Sequence, residues 1–311
     1  MPAKMNRNNF TELLYKGLHY IFFDNYAKPT SEYDKIFKMM SHDEYSKKVG
    51  RLMGLGTFQN KAEGDFISMD AGEWLSDKEV FFPTYALGYG VTWEMVEDDL
   101  YGQIDKFAAE LGESAGVTKE ILSWDIFNNA TGTTETGLDG KALLADDHLT
   151  GDGVTTLDNL SASALSQVAI QDALTYFDKI VNERSEPRPF NGQKVLIIPP
   201  ELKWKAKELL LSEYKPEFDN QAHDGGALDT RNAVNVIGDE DISYMVCHWL
   251  TKSDAWFMVD KMNHDLNGIN RRMVSFDKTK DPSTGDGMFY STFRYKPTFF
   301  DFRGVYGYPG A

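Results

Sequence analysis

Several short patterns in this 311-residue chain have residue types suited to chemistry. Gly112-Glu113-Ser114-Ala115-Gly116 matches G-x-S-x-G, the turn that presents a hydrolase serine at a strained strand-to-helix corner. Here the pentapeptide lies inside a run of helical apolar spacing, so Ser114 has no such corner. Gly112, Ala115 and Gly116 are better read as small residues that admit another backbone. Gly88-Tyr89-Gly90 stands between a strand-like run and a helix, as a dinucleotide-binding loop would. Its third glycine position is Trp93, whose indole would block a pyrophosphate.

The acidic clusters invite a metal, and geometry argues against it. Glu97-Asp98-Asp99 falls on a helical stretch where consecutive side chains point about 100° apart. Asp146-Asp147-His148 and His223-Asp224 sit among glycines and threonines and read as turn formers. DPSTGDG (281–287) lacks the ligand spacing of a calcium loop, and H-E-x-x-H is absent. Six dispersed histidines and the lone Cys247 give no nucleophile with a base. No catalytic, cofactor-binding or metal-binding residues are therefore expected. A serine hydrolase using Ser114 is the remaining enzymatic alternative.

Composition narrows the rest. With 32 basic and 48 acidic side chains the formal charge is −16, the wrong sign for wrapping nucleic acid. Hydrophobic residues at 41% and aromatics at 13% suffice for a large core. No internal disulfide is possible, no apolar run is long enough to span a bilayer, and the N-terminus does not read as a secretory signal. The expectation is a cytoplasmic chain without a membrane partner.

The elements that would position any site are an α+β set with an unusual start. Phe10, Leu13, Leu14, Leu18 and Ile21 or Phe22 recur at helical spacing, but residues 1–53 hold too few aliphatics for a core and read as an arm. Residues 54–84 read as a long hairpin, with strand-like pieces at 66–69 and 80–82; alone it would be marginal in water. From Thr92 to about Asn128, Val96, Leu100, Ile104, Phe107, Leu111, Ala115 and Ile121 or Leu122 predict one long helix, a spine of roughly 55 Å. A helix over 160–183, a strand KVLIIPP, a helix ELKWKAKELLLSE, a Gly-rich loop (219–230) and strand-like AVNVIG, MVCHWLT and AWFMVD follow. The C-terminal stretch is β-rich.

Arm and hairpin that bury their apolar side only against a neighbour describe a subunit of an assembly. The succession FFPTYALGYGVTWEMVEDD, the spine, TGLDGKALLADDH, KVLIIPPELKWKAKELL, NAVNVIGDEDIS, SDAWFMVD and the close FRYKPTFFDFRGVYGYPG resembles the major capsid proteins of tailed bacteriophages, with the Hong Kong 97-type fold also found in encapsulin shells. The resemblance implies an N-terminal arm (1–53), an extended loop (54–84), a peripheral domain with the spine helix (85–139 and 259–311) and an axial domain (140–258).

It further implies hexamers and pentamers of an icosahedral head around double-stranded DNA, with scaffolding, portal and decoration proteins as further partners. No specific DNA contact is implied. A separate scaffold or none is expected, because the arm is short. The assembly contacts would be Phe10, Phe22, Phe66, Trp74, Phe81, Gly225 and Gly226. Lys61 and Lys78 on the loop have no motif for crosslinking partners. Nine acids over residues 91–127, Glu94, Glu97, Asp98, Asp99, Asp105, Glu110, Glu113, Glu120 and Asp125, would line the inner wall and keep DNA from sticking. An encapsulin-like compartment is the alternative shell.

Overall fold

The computed structural model describes residues 7–28, 31–92, 95, 102–213, 235–280 and 286–311; the side chains of 7–14, 239 and 280 are not among them. The spacing read in the N-terminal stretch does form a helix, α1 (Arg7–Ala27). Leu18 and Phe22 on its inner face are fully buried. They are buried by their own chain: Phe22 stacks on Phe276 at 4.9 Å between centroids, and the Phe22 carbonyl passes so close to Gly112 that a Cβ there would collide with it. Gly112 of the G-x-S-x-G string thus admits α1. The apolar side of residues 15–28 is covered within its own unit.

The spine is shorter than its periodicity suggests. Gly102 adopts φ +62°, a left-handed conformation that interrupts any helix, and α2 runs Gln103–Asn128. Its 26 residues span about 39 Å at 1.5 Å per residue. Ile104, Ala108, Leu111, Ala115, Trp124 and Phe127 are buried, whereas Phe107, expected on that face, is exposed; of the alternatives Ile121 and Leu122, Ile121 is exposed and Leu122 half-buried.

The chain divides into two compact units. Unit 1 comprises Met1–Lys47, Val80–Ser123 and Asn267–Pro297. Its sheet has the order β1-β10-β11-β4, formed by β1 (Lys38–Ser41), β4 (Thr84–Val91), β10 (Leu266–Lys280) and β11 (Gly287–Phe299). β1 lies parallel to β10 and β4 antiparallel to β11. Gly88 and Gly90 are mid-strand in β4, opposite Tyr290 and Met288, and cradle no phosphate.

Unit 2 comprises Lys48–Glu79, Trp124–Leu266 and Thr298–Ala311. Its sheet has the order β12-β9-β7-β8, with β7 (Lys194–Ile198), β8 (Ile242–Val246), β9 (Trp256–Asp260) and β12 (Val305–Tyr308). Every residue of β7 and β9 is buried, as continuous apolar runs require. Helices α3 (Gln167–Asp178) and α4 (Lys203–Leu211) contribute Ile170, Phe177, Ala206 and Leu209 to the core built on Leu196, Ile198, Trp256 and Met258. A two-stranded β5–β6 pair (His148–Leu149 and Thr156–Leu157) completes the unit.

Several expected boundaries move. The hairpin's strands are β2 (Ser46–Met53) and β3 (Glu73–Phe81), so it begins inside the stretch read as arm, and residues 66–69 are not strand. The helix expected over 160–183 is only α3, because Ser166 caps it by accepting from the Ala169 amide at 3.2 Å. In AVNVIG the described residues, 235–238, are not strand: Asn235 caps a 3-10 turn, Val236–Asp239. Among the described residues no helix is long and apolar enough to cross a membrane.

Candidate assembly surface

The β2–β3 ribbon is tied at its base and bare at its tip. At the base, Arg51 donates to the Leu149 carbonyl at 2.7 Å and to Glu183 at 2.5 Å. Ser76 donates to the Leu138 carbonyl at 2.5 Å. Arg184 donates through Nε to the Gly54 carbonyl at 2.6 Å and through Nη2 to Asp70 and the Ala71 carbonyl at 3.0 and 3.2 Å. The Thr57 amide donates to Glu186 at 3.0 Å. The turn 182–186 therefore grips both legs where the strands end. Ser185 in that turn is held at φ +60° with its hydroxyl on Asp152 at 2.5 Å. Hydrogen bonds from the Ser185 and Thr150 hydroxyls and the Val154 and Thr155 amides hold Asp152 well below the usual carboxylate range.

Beyond that grip, residues 58–69 carry large apolar side chains with nothing over them. Phe58 is 107% exposed, Phe66 98% and Met69 92%, with Ile67 largely exposed as well. A soluble surface scatters such residues singly; four together make a candidate contact surface. Lys61 is exposed within this stretch.

Lys78 is no free loop lysine. Its ammonium donates to the Thr136 carbonyl at 2.7 Å, Thr298 Oγ1 at 2.8 Å and the Phe299 carbonyl at 3.2 Å, with Glu135 at 3.6 Å. Burial pushes its pKa down to about 8.

In unit 1 the segment after α1 is fastened to the spine by adjacent buried ions. Glu120 accepts from the Glu32 amide at 2.7 Å and the Tyr33 amide at 3.3 Å. Lys119 donates to Tyr26 Oη at 3.0 Å and Asn270 Oδ1 at 3.3 Å, over the rings of Tyr26, Phe293 and Tyr295. Burial depresses the Lys119 ammonium. Glu120 thus leaves the acidic face expected for α2, which retains Asp105, Glu110, Glu113 and Asp125 as exposed acids. Glu94, Glu97, Asp98 and Asp99 lie outside the described residues.

Of the residues expected to make assembly contacts, Phe66, Trp74 and Phe81 are exposed. Trp74 lies against Gly50 across the ribbon, and Phe81 meets Tyr45 edge-on at 5.7 Å. Phe22 is withdrawn into its own unit and is corrected accordingly. The Phe10 side chain, Gly225, Gly226 and His223-Asp224 fall outside the described residues.

Ser114 is helical, half-buried, and its carbonyl accepts from Thr118 at 2.7 Å within α2, a geometry without a nucleophile elbow. His148 is fully buried, stacked on Phe302 at 3.6 Å and bonded through Nδ1 to Asp139 at 2.6 Å, while Asp147 pairs outward with Lys141. Among the described residues no three such groups converge on a metal. The anchors Arg51, Glu183, Arg184 and Arg303 escaped the sequence reading, which extended a helix through 183; the turn formers Asn182 and Ser185 were the available sign.

A sheet-backed spine, a second α+β unit and a ribbon with an uncovered apolar tip define a shell subunit. A model of the phage capsid protein family matches residues 77–307, and the chain belongs to that family. It is a phage major capsid protein with the Hong Kong 97-type fold, of the kind that forms an icosahedral shell.

Solved structures similar to it include the mature capsid of bacteriophage PhiM1, at 10% identity and TM-score 0.57 over 90% of this chain and 86% of that one. The capsid of cyanophage P-SCSP1u gives 10% and 0.57 over 91% and 88%. A virus-like particle from Pyrococcus furiosus gives 13% and 0.52 over 94% and 98%. At these identities the likeness is one of fold. No curated protein matches.

Proposed function

We propose that this subunit closes the head through hexamers and pentamers in which the ribbon tip, residues 58–69, lies over a neighbouring copy. The observation that carries this is the exposure of Phe58, Phe66, Ile67 and Met69 on a ribbon whose base is hydrogen bonded to the 182–186 turn. Leaving those side chains in water costs about 2 kcal/mol each relative to burial, which only a partner surface recovers. Residues 140–258 form the axial part, with the segment 219–230 near the symmetry axes. Scaffolding, portal and decoration proteins complete the assembly in the host cytoplasm.

The lumen holds double-stranded DNA without specific contacts. The exposed acids Asp105, Glu110, Glu113 and Asp125 on α2 support this, since they repel phosphate within the roughly 8 Å screening length. A second reading, a protein compartment, draws on the fold likeness to the Pyrococcus particle, whose chain is matched almost end to end. Nuclease-protected DNA in particles purified from lysate supports the phage head. Particles free of DNA and filled with a protein cargo support the compartment and overturn the first reading.

A further inference from the structure

β4 ends the sheet of unit 1, and among the described residues no backbone group pairs with its outer side. In an antiparallel pair every second residue turns its amide and carbonyl away from the partner, so half of the eight residues of β4 hold both groups outward. Thr84, Ala86, Leu87, Gly88 and Gly90 are exposed, and the strand, TYALGYGV, contains no charged residue and no proline. A long uncharged edge is a template for another strand, which soluble proteins block with lysine, proline or a covering loop.

The other edges are managed. β1, β2 and β3 carry charges, Lys38, Lys48 and Asp77 among them. β12 is closed by backbone bonds, the Ser161 amide donating to the Gly307 carbonyl at 2.7 Å and the Gly307 amide to the Asn159 carbonyl at 3.1 Å. β8 is only five residues long and half-buried throughout. The helix-covered side of β4 shows the same gap as its edge. Tyr89 lies against Phe107 of α2 at 5.7 Å between centroids, and Leu87, two residues away on that face, is 56% exposed. Phe107 is exposed here although the spine's spacing turns it inward, because the sheet stops short of covering it.

Phe66-Ile67-Ser68-Met69 in the ribbon tip has the matching character. An uncharged run with an aromatic and a β-branched residue favours strand, yet it forms none in its own chain, and Phe66, Ile67 and Met69 stand exposed. We infer that residues 66–69 of one copy add as a strand to β4 of a second copy. Their backbone closes the open ladder, and Ile67 and Met69, which share one face of an extended segment, cover Leu87 and Phe107. Neither side brings a charge to be desolvated. The inference rests on the shell reading above and names the surface that receives the tip.

Hydrogen exchange of the full-length protein, compared between free subunits and purified particles, tests this. In particles the amides of 66–69 and 84–91 exchange roughly tenfold or more slowly than in free subunits. Ile67→Pro and Ser68→Pro change exposed positions whose amides make no backbone hydrogen bond among the described residues, so thermal unfolding of the free subunit stays unchanged. Adjacent amides of a strand point to opposite sides, so one of the two variants strips β4 of its protection or stops particles forming. Both variants assembling with β4 still protected overturns strand addition. Shells in which β4 exchanges as in the free subunit, or in which cryo-electron microscopy shows another segment along it, also overturn strand addition and leave the shell reading intact. A chain that forms no shell at any concentration overturns both.

Discussion

Arg184 Nη2 donates to Asp70 Oδ1 at 3.0 Å across 114 residues of sequence, and by that bond the second leg of the ribbon is held to the body of its own unit. The same guanidinium holds the first leg through the Gly54 carbonyl. One side chain thereby fixes where the ribbon stops being part of the subunit and becomes a projection.

Arg184→Ala is expected to loosen the projection and little else. Asp70 is largely solvated, so global stability falls by no more than about 1 kcal/mol. Limited proteolysis within residues 54–72 accelerates several-fold; unchanged cleavage contradicts the anchor.

The tip should matter only between subunits. Phe58→Asp with Phe66→Asp alters exposed positions, so thermal unfolding of the free subunit shifts by about 0.5 kcal/mol or less. Light scattering should show assembly lost. A variant that assembles normally removes the tip from the interface.

The adjacent buried ions on α2, Lys119 and Glu120, separate by role. Glu120→Ala strands the Glu32 and Tyr33 amides and costs about 2–4 kcal/mol. Lys119→Met keeps the aliphatic volume among Tyr26, Phe293 and Tyr295 and removes a buried charge, so it is expected to be near neutral or stabilising. Chemical denaturation of both variants checks the contrast, and equal losses contradict it.

Lys78 gives a pH signature. Its folded pKa, about 8, lies below the usual 10.5, so between those values the unfolded chain binds more protons and stability rises with pH. Below about pH 8 the buried charge is a constant cost. Lys78→Met should flatten that alkaline rise in a denaturation series; an unaltered slope shows that another group causes it.

Much of this architecture was legible because periodicity and order are local properties. β7 and β9 announce themselves as unbroken apolar runs, and the spine's apolar spacing holds at Ile104, Leu111 and Ala115 though not at Phe107. What was not legible depended on conformation or on distant partners. Gly102 could be helical or left-handed until the backbone decided it. Phe22 reads as a contact for another copy because nothing local reveals that the backbone Gly112 admits is that of Phe22's own helix. The ribbon grip joins residues 51–57 and 70–71 to 183–186, and no spacing rule links charges that far apart.

The central claim is that a folded subunit presents an apolar ribbon tip that only other copies can cover. Negative-stain and cryo-electron microscopy of the purified full-length protein, taken across a concentration series, tests this directly. The account expects rings, tubes or closed shells with density for residues 58–69 lying on an adjacent subunit. Monodisperse monomers at every concentration, with the tip folded onto its own chain, would contradict it.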